Sequence, residues 1–142
     1  MSDLLSPQKR SQVMAAIKGR DTKDELLVRR FLFRHGLRFR TSDRRLPGRP
    51  DIVLPKYRTV IFVNGCFWHG HENCSLFRLP KTHQEFWRRK IERNRARDER
   101  SIARLLSMGW RPIVVWECEL RGKQKQQETL EGLLNEIWDP VV

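Results

Sequence analysis

Residues 59–63 read Thr-Val-Ile-Phe-Val and residues 113–117 read Ile-Val-Val-Trp-Glu, two β-branched or apolar runs too short for helices and apolar enough to be buried. Between them, residues 82–108 carry a helical pattern that Gly109 ends. A long helix between two buried strands joins them as parallel neighbours, because a tight turn serves only antiparallel pairs. Residues 51–54 (Asp-Ile-Val-Leu), followed by Pro55-Lys-Tyr-Arg58, add an antiparallel partner to the first run. The expected fold class is therefore α/β, with a mixed central sheet flanked by helices.

The remaining elements follow from their ends. Thr22-Lys-Asp-Glu25 has the capping-box pattern, and a helix runs from it to His35-Gly36 with Leu26, Leu27, Val28, Phe31 and Leu32 as a broad apolar face. Thr82-His-Gln-Glu85 has the same pattern and should open the long helix. Residues 124–138 hold a last amphipathic helix. Residues 1–20 read as a basic amino-terminal helical arm, with Ser6-Pro7 as its start, Gly19 as its end and Val13, Met14 and Ile17 on one face. No repeat, low-complexity tract or Gly/Ser linker divides the chain, so residues 1–142 are expected to form a single domain.

Charge narrows the partners. Lys and Arg number 29 against 17 Asp and Glu, a net charge of +12. Arg dominates the cations, and its planar fork matches phosphate oxygens two at a time. Nucleic acid is the favoured partner, although an inert basic surface or an acidic protein also fits charge alone. No apolar run reaches the roughly 20 residues of a bilayer span, and the first residues, Met-Ser-Asp-Leu-Leu-Ser-Pro, lack signal-peptide order, so no membrane and a cytoplasmic location are expected.

Chemistry concentrates in residues 65–74, Gly-Cys-Phe-Trp-His-Gly-His-Glu-Asn-Cys. Cys66, His71 and Cys74 are spaced to meet one metal, and Cys118 can supply a fourth ligand if the two buried strands are neighbours. A Cys3His set fills a tetrahedron and leaves no open position, so such a zinc is structural; the alternative is three ordinary buried thiols. His69 is then left over beside Phe67 and Trp68, either as a proton acceptor or as a surface histidine. On the long helix the stripe through Trp87, Ile91, Ile102 and Leu105 is interrupted by Asn94 and Asp98, so two polar groups face inward and Asp98 needs a partner such as His69. Arg88, Arg89, Arg93, Arg97, Arg100 and Arg104 form the opposite face, solvated or laid along phosphates. Pro47-Gly-Arg-Pro-Asp51 places a carboxylate at the start of a core strand, where it can hold Mg2+ or simply belong to a turn. Glu25 is a second carboxylate of this kind, or the partner of Thr22 in its capping box.

The segments Leu-Pro-Gly-Arg-Pro-Asp51, Val-Ile-Phe-Val-Asn-Gly-Cys-Phe-Trp-His69 and Val-Val-Trp-Glu-Cys118, in this order and spacing, strongly resemble the very-short-patch-repair DNA mismatch endonucleases. The resemblance runs from about Met14 to the last helix. It implies a restriction-endonuclease-like fold with a structural zinc site, and a strand-specific nick 5′ of the thymine in a T:G mismatch left by deamination of 5-methylcytosine. It further implies Asp51 as metal-binding and catalytic carboxylate, His69 as general base oriented by Asp98, and Glu25 touching the metal shell through water. Val63 would offer a backbone carbonyl to Mg2+, of which two ions would serve catalysis. Cys66, His71, Cys74 and Cys118 would hold one structural Zn2+. Phe67, Trp68 and Trp87 would wedge into the base stack from the major groove, met by Met14 from the minor groove; core packing is the alternative for the tryptophans.

The sequence departs from related nucleases where Phe62-Val-Asn64 replaces a Glu-x-Lys, a gap that a histidine base fits. Asn64 stands where some relatives have histidine, and about one extra residue separates His71 from Cys74. The implied partner is duplex DNA with a T:G mismatch, joined by repair-pathway proteins, with monomer as the default state. Two other functions stay open: a restriction-type nuclease acting on matched DNA, and a zinc-stabilised DNA-binding module without catalysis.

Overall fold

The computed structural model describes residues 22–138. The amino-terminal arm, with Met14, therefore lies outside the described residues. Three helices and four strands form the frame: α1 (Lys23–Arg34), β1 (Arg40–Thr41), β2 (Ile52–Leu54), β3 (Thr59–Asn64), α2 (Gln84–Ser107), β4 (Arg111–Trp116) and α3 (Lys123–Trp138). Short 3-10 turns follow β2 (Pro55–Tyr57) and β4 (Glu117–Leu120).

The sheet order is β1-β2-β3-β4, with β1/β2 and β2/β3 antiparallel and β3/β4 parallel. The hairpin and the crossover through α2 are both as the sequence pattern predicts. Alternation then sorts the strand residues between two layers. Ile52, Leu54, Ile61 and Val115 face α1 and α3, packing with Val28, Phe31, Leu32, Leu130, Leu133, Leu134 and Ile137. Val53 and Val60 face the other way, onto Leu105 and Trp110 at the end of α2 and its following turn, with Phe62 against them. Helices thus cover both faces, which is why β3 is apolar throughout.

Two ends differ from their sequence patterns. Thr22 caps α1, its Oγ1 accepting from the Glu25 amide at 3.2 Å, but the Glu25 carboxylate pairs with Arg29 at 3.2 Å and is buried. Thr82 does not cap α2. The first helical bond there runs from Trp87 N–H to His83 O, His83 has φ +56° and makes no side-chain cap, and Glu85 instead pairs with Arg88 and Arg89. An i, i+3 pattern of Thr and Glu recurs by chance on charged helices, and a left-handed residue at the cap overrides it. The short edge strand β1 carried no apolar run and left no sequence signal.

Arg111 closes the far end of the molecule. It donates to the carbonyls of Glu136 (3.0 Å) and Ile137 (3.1 Å) and to Thr59 Oγ1 (2.8 Å). Carbonyls in the last turn of a helix have no intrahelical donor, so one guanidinium ties α3 to the sheet at the opposite end from the cleft described next.

Candidate active site

Asp51 sits one residue before β2, where the Pro47-Gly-Arg-Pro bend enters the sheet. β2 ends its pairing with β3 at Ile52↔Ile61, so the amide of Val63 has no β2 partner. Asp51 Oδ2 accepts it instead, at 2.7 Å. Burial, with the charge of Glu25 nearby, pushes the Asp51 carboxyl up to about 6 despite that bond. A carboxylate held in this way favours a proton or a cation beside it. The N–H and C=O of one strand residue point to the same side, so the Val63 carbonyl also projects past the end of β2.

The loop after β3 turns back on itself through His71 N–H to Cys66 O (2.9 Å) and His69 N–H to Gly65 O (3.2 Å). Its Cys66, His71 and Cys74 converge with Cys118, which parallel pairing of β3 and β4 brings alongside; their ligand atoms all lie within 4.8 Å of one another. Cys66 Sγ and Cys118 Sγ are each 3.5 Å from His71 Nδ1. A tetrahedral zinc with bonds of about 2.3 Å to sulfur and 2.05 Å to nitrogen requires S···N edges of about 3.5 Å. The donor set and its spacing therefore fit a closed Cys3His zinc site. Burial pushes the Cys66 thiol up to about 12, so the thiolate form needs a cation. Trp116 lies flat on the His71 ring, centroids 4.0 Å apart and planes within 3°, fixing its orientation.

On the other side the loop is gripped by α2. Asp98 Oδ2 is 2.6 Å from His69 Nδ1, Asn94 Nδ2 donates to the Trp68 carbonyl at 2.9 Å, and Arg95 donates to the Gly70 carbonyl through Nε (2.8 Å) and Nη2. Three consecutive loop residues are thus held by one helix face. Gly70 allows the approach: it has φ +60°, and a Cβ there would stand 2.5 Å from Arg95 Nε and Ile91 Cγ2. Because a carboxylate only accepts, His69 Nδ1 carries the shared proton, and a neutral ring then presents Nε2 as a base.

Phe67, Trp68 and Trp87 form an edge-to-face trio with centroids 5.2 to 5.9 Å apart. All three are half-buried, neither core nor free surface. Lys90 Nζ lies over both tryptophans, at 5.8 and 5.9 Å.

One cleft of about 1670 Å³ joins these parts, with Glu25, Asp51, Val63, Trp68, His69 and Asp98 in its wall. Pockets for small molecules run to about 300–1,000 Å³, so this groove suits a macromolecule. Arg97, assigned by the helical pattern to the outer face of α2, lines the cleft and donates to Asn94 Oδ1 at 2.7 Å. Arg95 and Glu117 were missed by the sequence analysis. Arg95 lies four residues after Ile91, a spacing that marks the inner face; Glu117, which accepts the Cys66 amide at 3.1 Å, gave no such signal.

Comparison with known proteins agrees across the chain. A family model described as DNA mismatch endonuclease Vsr matches residues 2–76. The DNA mismatch endonuclease Vsr of Escherichia coli K12 is 50% identical over 125 residues, covering 88% of this chain and 80% of its own. The type II nicking enzyme V.NmeAIP of Neisseria meningitidis serogroup A is 48% identical over 141 residues, 99% of this chain and 100% of the relative. A similar enzyme of Xanthomonas oryzae pv. oryzae, V.XorIIP, is 47% identical over 140 residues.

Proposed function

The chain belongs to the DNA mismatch endonuclease Vsr family, and from that premise we propose that it nicks one strand of duplex DNA 5′ of the thymine in a T:G mismatch, with Mg2+ at Asp51. The four-stranded sheet and its helices are the core of a restriction-endonuclease-like fold, and residues 1–142 act as one monomeric domain with residues 1–20 as its basic arm. The observation that carries this reading is the convergence of Asp51 and the His69–Asp98 pair in one cleft beside the aromatic trio.

The donors at Asp51 suit Mg2+, which takes hard oxygens and is commonly held by one or two carboxylates, the rest of its shell being water and substrate phosphate. Asp51 and the Val63 carbonyl would hold it, with Glu25 acting through water; two such ions would polarise the scissile phosphate and stabilise the departing 3′ oxygen. His69 Nε2 takes a proton from the water that attacks phosphorus, the P–O3′ bond breaks, and the departing oxygen takes a proton from solvent, giving a 5′ phosphate and a 3′ hydroxyl. Asp98 keeps the imidazole in the tautomer that can do so. Phe62 stands in place of the second carboxylate and Asn64 in place of the lysine, so neither position supplies a charge and His69 is left as the base.

Phe67, Trp68 and Trp87 enter the stack from the major groove, with Met14 opposite. A wobble pair is the least costly step to unstack, so a wedge of three rings selects weak pairing before any base edge is read. Zn2+ at Cys66, His71, Cys74 and Cys118 holds the loop that carries two of those rings and His69.

Cleavage of end-labelled duplexes with a central T:G mismatch, with and without Mg2+ and beside matched C:G duplexes, tests the proposal. A Mg2+-dependent nick confined to the thymine strand is the expected result. Cutting of both strands in matched DNA would instead make it a restriction-type nuclease, and binding without cleavage a zinc-stabilised DNA-binding module.

A further inference from the structure

We propose that residues 42–50, between β1 and β2, form a preformed clamp for the DNA backbone in which Arg44 and Arg49 take phosphate oxygens at the wall of the cleft. The inference rests on the cleft being a DNA-cutting site, and it specifies which cations hold the duplex there.

Four arginines lie in or beside this segment, and one buried carboxylate divides them. Asp43 accepts from the Arg45 amide, Nε and Nη2, each at 3.0 Å, and pairs with Arg40 at 3.3 Å. Arg40 and Arg45 are thereby turned onto Asp43, which offsets one of their two charges. Arg44 and Arg49 have no carboxylate partner among the described residues, and both line the cleft that holds Asp51. Their charge has a task there. Asp24, Glu25, Asp51, Asp98 and Glu117 line the same cleft, and although Arg121 pairs with Asp24 and Glu117, carboxylates so gathered repel a polyanion unless further cations beside them offset the field.

The segment is also fixed in place. Its start is tied by Ser42 N–H to Asp51 O at 3.2 Å and its end by Arg49 N–H to Leu46 O at 3.0 Å. Between them Gly48, at φ +73°, lies so close to α2 and β3 that a Cβ would meet Ser101 Cβ at 2.8 Å and Phe62 Cε1 at 3.2 Å. Ser42 and Arg49 themselves hold left-handed backbone, at φ +48° and +49°. Cations carried on a pinned loop lose less freedom on binding than cations on a mobile one, and a guanidinium fork grips two phosphate oxygens at once.

The test is equilibrium binding of Arg44→Gln, Arg49→Gln and the double variant to a T:G duplex and to its matched counterpart, in Ca2+ in place of Mg2+, across about 50 to 300 mM salt. Each single substitution should weaken binding about tenfold and lower the slope of log K against log salt by about 0.9, equally on both duplexes. Arg34→Gln, at the far end of α1 and outside the cleft, should change neither. Melting temperatures should stay at the wild-type value, since neither side chain has a hydrogen-bond or ion-pair partner among the described residues. Unchanged affinity and slope in the double variant would overturn the clamp, as would a loss confined to the T:G duplex, or an equal loss from Arg34→Gln. If the wild-type protein binds DNA but nicks none, the cutting site is refuted while the salt slope still decides the clamp. Absence of any duplex binding would refute both.

Discussion

Asp51 combines two properties that oppose each other in a metal-free protein. Its folded pKa of about 6 lies above the ordinary 3.8, so the folded chain binds this proton more tightly than the unfolded chain. Stability from this group is therefore greatest below the unfolded value and is lost as pH rises through about 6. The penalty is about 1.5 kcal/mol at pH 5 and about 3 kcal/mol at pH 7.5. Asp51→Asn keeps an acceptor for the Val63 amide, so in Mg2+-free buffer it should stabilise the protein by amounts of that order, more at the higher pH, while abolishing nicking. Urea melts at the two pH values check the first part; nicking retained by this variant would remove Asp51 from the mechanism. His69 is the second decisive residue. Asp98→Asn offers an amide that can face Nδ1 with its N–H, favouring the wrong tautomer, and should lower the single-turnover nicking rate about 10²- to 10⁴-fold with little change in DNA affinity. An equal loss in binding would mean that Asp98 is structural only.

At the scale of elements, the loop after β3 is stretched between two fixed bodies, the Cys/His cluster on one side and the α2 face of Asn94, Arg95 and Asp98 on the other. Arg95→Ala removes two charge-assisted bonds to the Gly70 carbonyl. The expected cost is about 2 kcal/mol in stability. Because Gly70 is next to His69, the nicking rate should fall while Kd for DNA holds, and the pH profile of the rate should shift as His69 loses its fixed environment. Arg95→Lys should restore part of the stability and less of the rate, since one ammonium cannot reproduce the fork. A rate that follows stability alone in both variants would show that the clamp on Gly70 has no bearing on His69. Cys118→Ser tests the opposite anchor. The wild-type protein should carry about one Zn2+ per chain and the variant none, with His69 and the aromatic trio displaced together; an equally stable, metal-free wild type would end the zinc assignment.

For the molecule as a whole, stability and chemistry are set at opposite ends of one sheet. β3 and β4 emerge in parallel, so the loops after both strands meet at one end, where Cys66 and Cys118 come together; Arg111 secures the other end against α3. Arg111→Ala should cost about 1–3 kcal/mol, read as a lower denaturant midpoint, with the nicking rate unchanged where the protein remains folded. A rate loss in the folded variant would show that the two ends are coupled. Asp43 adds an acid-sensitive element. Its bonds to Arg45 hold its carboxyl down at about 2 from 3.8, so its contribution is present above about pH 4 and lost as pH falls towards 2. Asp43→Asn should therefore lower the melting temperature at pH 6 and leave it unchanged near pH 2.

Elements whose signal is local could be read from the order of residues. Apolar runs at 52–54, 59–63 and 113–116 made strands, Thr22 and Gly109 marked helix ends, and the missing apolar residues at Asn94 and Asp98 announced an inward polar face. The sequence also presented the metal-ligand types, because two cysteines and a histidine within nine positions are legible without a fold. The parallel direction of β3 and β4 was legible from the helix between them, but what depends on register came only with the folded sheet. Only parallel pairing of β3 with β4 carries Cys118 to a cluster 44 residues earlier in the chain, and only the end of β2 frees the Val63 amide for Asp51. The same holds for Arg95 and Glu117, whose partners are backbone groups. A backbone carbonyl or amide looks alike at every position of a sequence, and which of them is left unpaired is known only once the ladder has been laid down.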